Sequence, residues 1–581
     1  MDALRLRTIL APGPAFLLAK VFPHVLVLST SACLALKIVG NTMQRIIPLW
    51  IYVLAALIVH PAFLLSRRTY YKLSERYDGH YRPPRVQGTS GDIIKAVIHS
   101  FTEGYIGEAY WKWAQQYGPV YSVDLYGENR IFTFEPSDVK AILTSQFEHF
   151  EKGPVLFDMW WSLLGNGIFN VDGALWKFHR GMTRQFLTQE RVRDFENFER
   201  HSTYAIRLLT DRLEDGYAVD FQDLVARFTL DAASEFLFGK DVESLQAGIA
   251  YPSQSGAVDI PSEHPSDSFV RAFTAGQEIL ALRAWTGKLW PLLEFWKDTA
   301  APHRRNVELF VEPLIDEALK ANDTEKVKVH ENLLSSLVAD ANDAATIKDE
   351  LINMLVAGRD TTASLLTFVM YCLIRHPEVM QRLQEEIASA LGQKAPTRED
   401  LREMKYLRAV LNETLRLYPP VPFNHRTSAV ATTLPGKPGG TPYYVPADTK
   451  VSYGHFLIHR RKDLWGPTAL EYDPNRFIDE RVQYISKNPF IFLPFHGGPR
   501  VCVGQQFAYF EASYFLVRLL QHLASSSLDI GIANDIQVQP PKEWATNIQS
   551  ESTKGLDTVM LGAHLTMHVK GGFWVTRKKT G

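Results

Sequence analysis

Phe490-Ile-Phe-Leu-Pro-Phe-His-Gly-Gly-Pro-Arg-Val-Cys-Val-Gly504 decides how the chain is read. One cysteine, Cys502, sits in a loop of glycines and a proline. An apolar aromatic run precedes it, and a helix-like segment, Gln505–His522, follows. Such a loop turns the backbone tightly around a planar group and brings amide N–H groups near a sulfur. Arg500, two residues upstream, can meet an anionic substituent of that group. A lone thiolate without His or Cys companions suits an axial ligand to haem iron better than tetrahedral zinc. The bland alternative is a buried structural cysteine in a glycine-rich turn.

Composition narrows the class. The chain has 581 residues and a net charge of −2, with no zinc-finger spacing and no long basic tract, so nothing points to nucleic acid. Its three cysteines, Cys33, Cys372 and Cys502, make no disulfide framework.

Residues 1–81 differ from the rest and read as a membrane anchor region. The run 46–66 has no formal charge and is expected to span, since about 20 apolar residues cross a bilayer. The stretch 22–39 is a possible additional span, an interfacial helix, or the partner of 46–66 in a hairpin. Arg67, Arg68, Lys72 and Arg76 follow, and excess basic charge prefers the cytoplasmic side. Arg82-Pro-Pro-Arg85 is a stiff hinge into a body covering 82–581.

Within the body, Val120–Phe134 alternates like a hairpin turning at Gly127-Glu-Asn-Arg130. The apolar stretch 147–171 contains Phe157, Met159 and Trp160 and should pack on the core or line a cavity. Trp176 and Arg180, four apart, share a helix face and offer two donors to an anion. Tyr251–Ser268, rich in serine and proline, reads as a loop. Lys348–His376 is a long helix, apolar over much of its surface. At its middle, Ala357 and Gly358 are small enough for close approach of a flat ligand. Asp360 and Thr361 set an acid beside an alcohol, a pair able to relay protons. Leu401–Leu417 is the next long helix after Pro377–Leu391, and carries Glu413 and Arg416 on one face. Asp473-Pro-Asn-Arg-Phe477 supplies a further arginine, Arg476. Tyr418–Arg426 runs extended after its prolines. His455 and His459 imply no metal site.

These segments together resemble the cytochrome P450 family over roughly residues 82–577. The pattern Phe495-x-x-Gly498-x-Arg500-x-Cys502-x-Gly504 is similar to its cysteine-ligand signature, with all five positions filled. Trp176-x-x-x-Arg180, Ala357–Thr362, and Glu413-x-x-Arg416 with 474–477 follow in the family's order. The resemblance implies a mainly α fold with a smaller β-rich portion. It implies haem b with Cys502 as iron ligand, and Trp176, Arg180, Ala357, Gly358, Phe495, Arg500 and Gly504 around the cofactor. Asp360 and Thr361 would relay protons. Glu413, Arg416 and Arg476 would form a buried structural triad, with Asn475 standing where the family often has Glu. Val421, Phe423 and Asn424, with Phe157, Met159 and Trp160, would form the substrate pocket.

Leu164–Trp176, Thr432-Thr-Leu-Pro435 and Phe495–Ala508 with Glu511-Ala-Ser look like the fungal alkane- and fatty-acid-oxidising branch. The implied activity is a membrane-bound monooxygenase taking O2, an apolar substrate, and electrons from a separate NADPH-cytochrome P450 reductase, with cytochrome b5 as an optional second donor. Its expected place is the endoplasmic reticulum membrane, body in the cytosol. The chain ends Lys578-Lys-Thr-Gly581, similar to a dilysine retrieval signal. Other readings stay open: oxidation of alkylated aromatics, xenobiotics or terpenoids, a reductase-independent isomerase or dehydratase, and a non-catalytic haem sensor.

Overall fold

The computed structural model describes residues 10–44, 46–74, 81–187, 195–252, 264–323, 332–340, 343–526, 529–545 and 552–578. Most of the 251–268 loop and the last three residues of the dilysine-like tail lie outside them. The body is mainly helical, as expected. The elements that position the site are α1 (Pro12–Phe16), α2 (Phe22–Thr42), α3 (Leu49–Ser74), α4 (Gly173–Phe186), α5 (Phe221–Phe238), α6 (Ala344–Arg375), α7 (Lys405–Leu417) and α8 (Gln505–Ser526).

Helix α6 runs through the body. It starts four residues earlier than the pattern predicts, because the Asp343 carboxylate caps the Ala345 and Thr346 amides at 3.2 and 3.1 Å. It stops at Arg375 because Pro377 holds His376 out of the helical region. Its apolar surface on nearly all sides is buried, chiefly against α5, then against the helix Ala301–Asp323, α7 and α8. The expected helix Leu401–Leu417 divides at Met404. The Glu386 carboxylate accepts from the Tyr406 and Leu407 amides, both at 2.8 Å, and so starts α7 as a separate helix after Arg398–Glu403.

The largest sheet orders its strands Val120–Leu125, Glu128–Thr133, Lys450–Tyr453, Asn424–Ser428, Phe150–Glu151. Only the second and third pair parallel. The first hairpin turns at Tyr126-Gly127, one position earlier than the sequence suggests. Both residues have positive φ, 51° and 86°, the two-residue turn that matches strand twist.

At the N-terminus α2 and α3 pack on each other. Among the described residues, Pro12–Thr42 is the helix long and apolar enough to cross a membrane, and none of its apolar window is buried in the body. Pro48 delays α3 to Leu49, and within this 26-residue helix the apolar stretch is Leu49–Phe63.

Candidate functional site

The Cys502 loop is built by local hydrogen bonds. The Leu493 amide donates to His459 Nε2 at 3.0 Å, and His459 Nδ1 lies 3.1 Å from the Arg416 carbonyl. One ring nitrogen therefore accepts and the other donates, which requires neutral imidazole, and burial pushes its pKa well down. His496 takes φ 66°, its ring 2.7 Å from the Tyr453 hydroxyl. The Cys502 amide closes the loop on the Phe495 carbonyl at 2.9 Å, and Phe495 packs on Tyr509.

Gly498 is required twice over. Its φ is 67°, and a Cβ there would strike the Leu143 carbonyl oxygen. Gly498→Ala should cost about 1–3 kcal/mol and lower the haem content per mole of purified protein. Unchanged haem content would show that the loop can give way.

Cys502 opens onto a cavity with about 1550 Å³ of atom-free space, its open mouth included. Cys33 lies in α2, and Cys372 is buried within α6. Enclosure raises the Cys502 thiol pKa, while the Gly504 amide and Arg180 oppose this. A metal cation on the sulfur would favour the thiolate outright. To the same cavity α6 presents Ala357, Gly358, Thr361, Thr362 and Leu365. Gly358 also lets α6 approach α5, since a Cβ there would come within 3.0 Å of Ala233.

One wall gathers cations. Arg180 donates to the Val501 carbonyl at 2.9 Å. Arg500 bonds the Asp172 carboxylate and lies 4.4 Å from the Trp176 ring centroid. Lys152 and Arg426, not anticipated from sequence, line the same cavity and are buried. Burial, then Arg426, holds the Arg500 pKa down at about 10, and burial pushes the Lys152 ammonium well down, with Arg426 and Arg500 adding to it. Asp172 is the carboxylate on this wall, and it is already engaged by the Lys152 and Gly153 amides at 2.9 Å. Four cations around one engaged carboxylate suit a ligand carrying anionic groups. A thiol lining the cavity and a cluster of neighbouring cations in its wall form a donor set that fits a haem with its propionates.

The acid–alcohol pair is split. Thr361 lines the cavity and donates to the Ala357 carbonyl at 2.6 Å, which leaves its oxygen able to accept. Asp360 turns away, held by Arg359 at 2.5 Å and Gln277 at 2.7 Å.

The pocket candidates also divide. Val421 and Asn424 line the cavity. Phe423 packs into the core against Phe101, Tyr110 and Phe456. Phe157, Met159 and Trp160 lie on the helix Pro154–Leu164, outside the cavity wall. Met159 packs with Leu156 and Trp290, and Trp160 meets Lys152. The apolar wall comes instead from Ile168, Phe169, Phe236, Leu237, Met354 and Leu365.

Glu413, Arg416 and Arg476 meet in the interior, each 0% exposed. Glu413 accepts from Arg416 Nε at 2.7 Å and Nη2 at 2.8 Å, and from Arg476 Nε at 3.5 Å. Asn475 accepts from Arg382 at 2.6 Å and takes no part in this cluster.

The family model described as Cytochrome P450 matches residues 94–538. Cytochrome P450 52A3-A of Candida maltosa is 38% identical over 414 residues, 68% of this chain and 76% of that protein. Cytochrome P450 monooxygenase himC of Aspergillus japonicus is 36% identical over 448 residues, 75% of this chain and 74% of that protein. Cytochrome P450 52E1 of Candida apicola is 35% identical over 411 residues, 69% and 76% respectively.

Proposed function

The chain belongs to the cytochrome P450 family, and from that premise we propose that Cys502 is its haem ligand and that its substrates are n-alkanes or fatty acids. Members of the family bind haem through a cysteine thiolate. The protein is accordingly a haem-thiolate monooxygenase, which takes O2, an apolar substrate and electrons from a redox partner. When bound, the haem supplies the oxygen-activating redox chemistry, and the thiolate pushes electron density toward iron. The observation that carries the assignment is that Cys502 and Thr361 face one cavity whose wall gathers Arg180, Arg500, Lys152 and Arg426.

In this reading Trp176 and the four cations hold the propionates. Ile168, Phe169, Phe236, Leu237 and Val421 exclude water and hold an alkyl chain. Thr361 Oγ, its own proton held by the Ala357 carbonyl, can accept a hydrogen bond from inside the cavity. Asp360 exchanges protons with Thr361 after leaving Arg359 or Gln277. Electrons come from NADPH-cytochrome P450 reductase, with cytochrome b5 as a second donor. Residues 1–81 anchor the protein in the endoplasmic reticulum membrane, and 82–581 form the catalytic domain on the cytosolic side.

The direct test is turnover with purified reductase across alkanes, fatty acids, alkylated aromatics and terpenoids. Alkane or fatty-acid hydroxylation is the expected result, and product only from terpenoids or aromatics would overturn the substrate assignment. Thr361→Ala should keep normal haem content but lower product per NADPH by about 10²-fold or more, the usual contribution of proton transfer, with peroxide released instead. Unchanged coupling would remove Thr361 from the relay.

A further inference from the structure

We infer that α2 and α3 are an antiparallel membrane hairpin that crosses the bilayer twice, leaving the chain's N-terminus on the same, cytosolic side as the catalytic body. The inference rests on the membrane-anchored reading above and adds a topology to it.

Parity sets the number of crossings. The chain touches the body before α2 and again after α3. In α1, the Gly13 amide donates to the Phe295 carbonyl at 3.0 Å, and Pro12, Gly13 and Ala15 are buried. A Cβ on Gly13 would collide with the Phe295 ring, so this contact is close. α1 also packs on the short helix Trp290–Leu293. After α3 the chain rejoins the body at Tyr81, which bridges to Tyr443. Between these points α2 leads away, a short connection follows, and α3 returns along α2, with Cys33 Sγ 3.9 Å from the Tyr52 carbonyl. A path that leaves one body and rejoins it crosses an intervening layer an even number of times.

The layer is identified by chemistry. Phe22, Leu26, Leu34, Ile38, Leu57 and Ile58 are more than half exposed along the two helices. Contiguous exposed apolar surface of this kind needs an apolar partner. The 21 residues of α2 rise about 31 Å, close to the roughly 30 Å hydrocarbon core. The α3 sequence carries no formal charge up to Ser66, and its helix continues to Ser74, long enough to return. Charge agrees with the parity. In sequence, Arg5, Arg7 and Lys20 precede the first crossing, and Arg67, Arg68 and Lys72 follow the apolar part of the second. In sequence Arg45 falls between α2 and α3, and Lys37 lies five residues before the end of α2, within reach of the far interface by snorkelling. Leu293 and Trp296, 66% and 78% exposed beside the α1 contact, put an apolar face of the body at the same surface.

The test is cysteine accessibility in intact microsomes carrying the full-length protein in a Cys33→Ser background. Single cysteines are placed by Ala3→Cys at the N-terminus and Gln44→Cys in the far turn. A membrane-impermeant maleimide of high mass reports each as a gel shift against the parent. Ala3→Cys should label without detergent, and Gln44→Cys only after detergent. Labelling of Ala3→Cys only after detergent would overturn the cytosolic N-terminus. Labelling of Gln44→Cys without detergent would overturn the double crossing. Protease digestion of the body in the same microsomes reads the anchored, cytosolic-body assignment separately, so the two can fail independently.

Discussion

Cys502→Ser should remove the long-wavelength absorption band of the reduced carbon monoxide complex and reduce turnover by more than the roughly 100-fold cost of losing an outer-shell partner of a metal site. The physical reason lies in the donor. A serine oxygen does not supply the electron density that a thiolate gives. The sulfur sits where such density is usable, on the cavity that Thr361 also lines, with the Gly504 amide and Arg180 favouring its charged form. The cation wall that would hold the propionates does not include Cys502, so the variant should still take up some haem. Haem content and the carbon monoxide spectrum must therefore be measured together. A variant with normal haem content and an unchanged band would move the ligand elsewhere.

The parts of the site that were legible in the sequence are those fixed by local spacing. The turn at Gly497–Gly498, the loop carrying Cys502, and the Trp176/Arg180 pair on one helical face all follow from residues close together in the chain. Lys152 and Arg426 were not legible. One sits in a loop and the other on a strand far along the sequence, and only the folded body brings their charges to one anion site. Arg426 had a readable trace, because it lies two residues after Asn424 on a strand and so shares its face. Phe423 misled for a related reason. The bends at Tyr418–Val421 break the alternation before the strand begins, so Val421 and Phe423 part company although two residues separate them. The division of the 401–417 helix depends on Glu386, a cap outside that segment, and no periodicity within it could report this.

Glu413→Ala should destabilise the protein by about 3–5 kcal/mol, the cost of leaving a buried charge without its partner. Against a typical total of roughly 5–15 kcal/mol, this is enough to deplete folded, haem-loaded protein. Glu413 is the carboxylate for two buried guanidinium groups and also accepts from the Asp473 amide at 2.9 Å. The damage should travel to the haem side along defined bonds. Arg416, freed from Glu413, also holds the carbonyls of His459 and Ala469 at 2.7 and 2.6 Å. His459 in turn accepts from the Leu493 amide, two residues before Phe495, whose carbonyl closes the Cys502 loop. Loosening Arg416 therefore loosens the backbone that aims the sulfur, although no triad atom lines the cavity. Glu413→Gln separates charge from shape, since it keeps the side-chain length and one acceptor but not the negative charge. It should behave almost as badly as alanine in thermal unfolding and in haem content. If Glu413→Gln matched the wild-type protein in both, the cluster would act through packing and hydrogen bonding alone, and the argument from unpaired buried charge would be wrong.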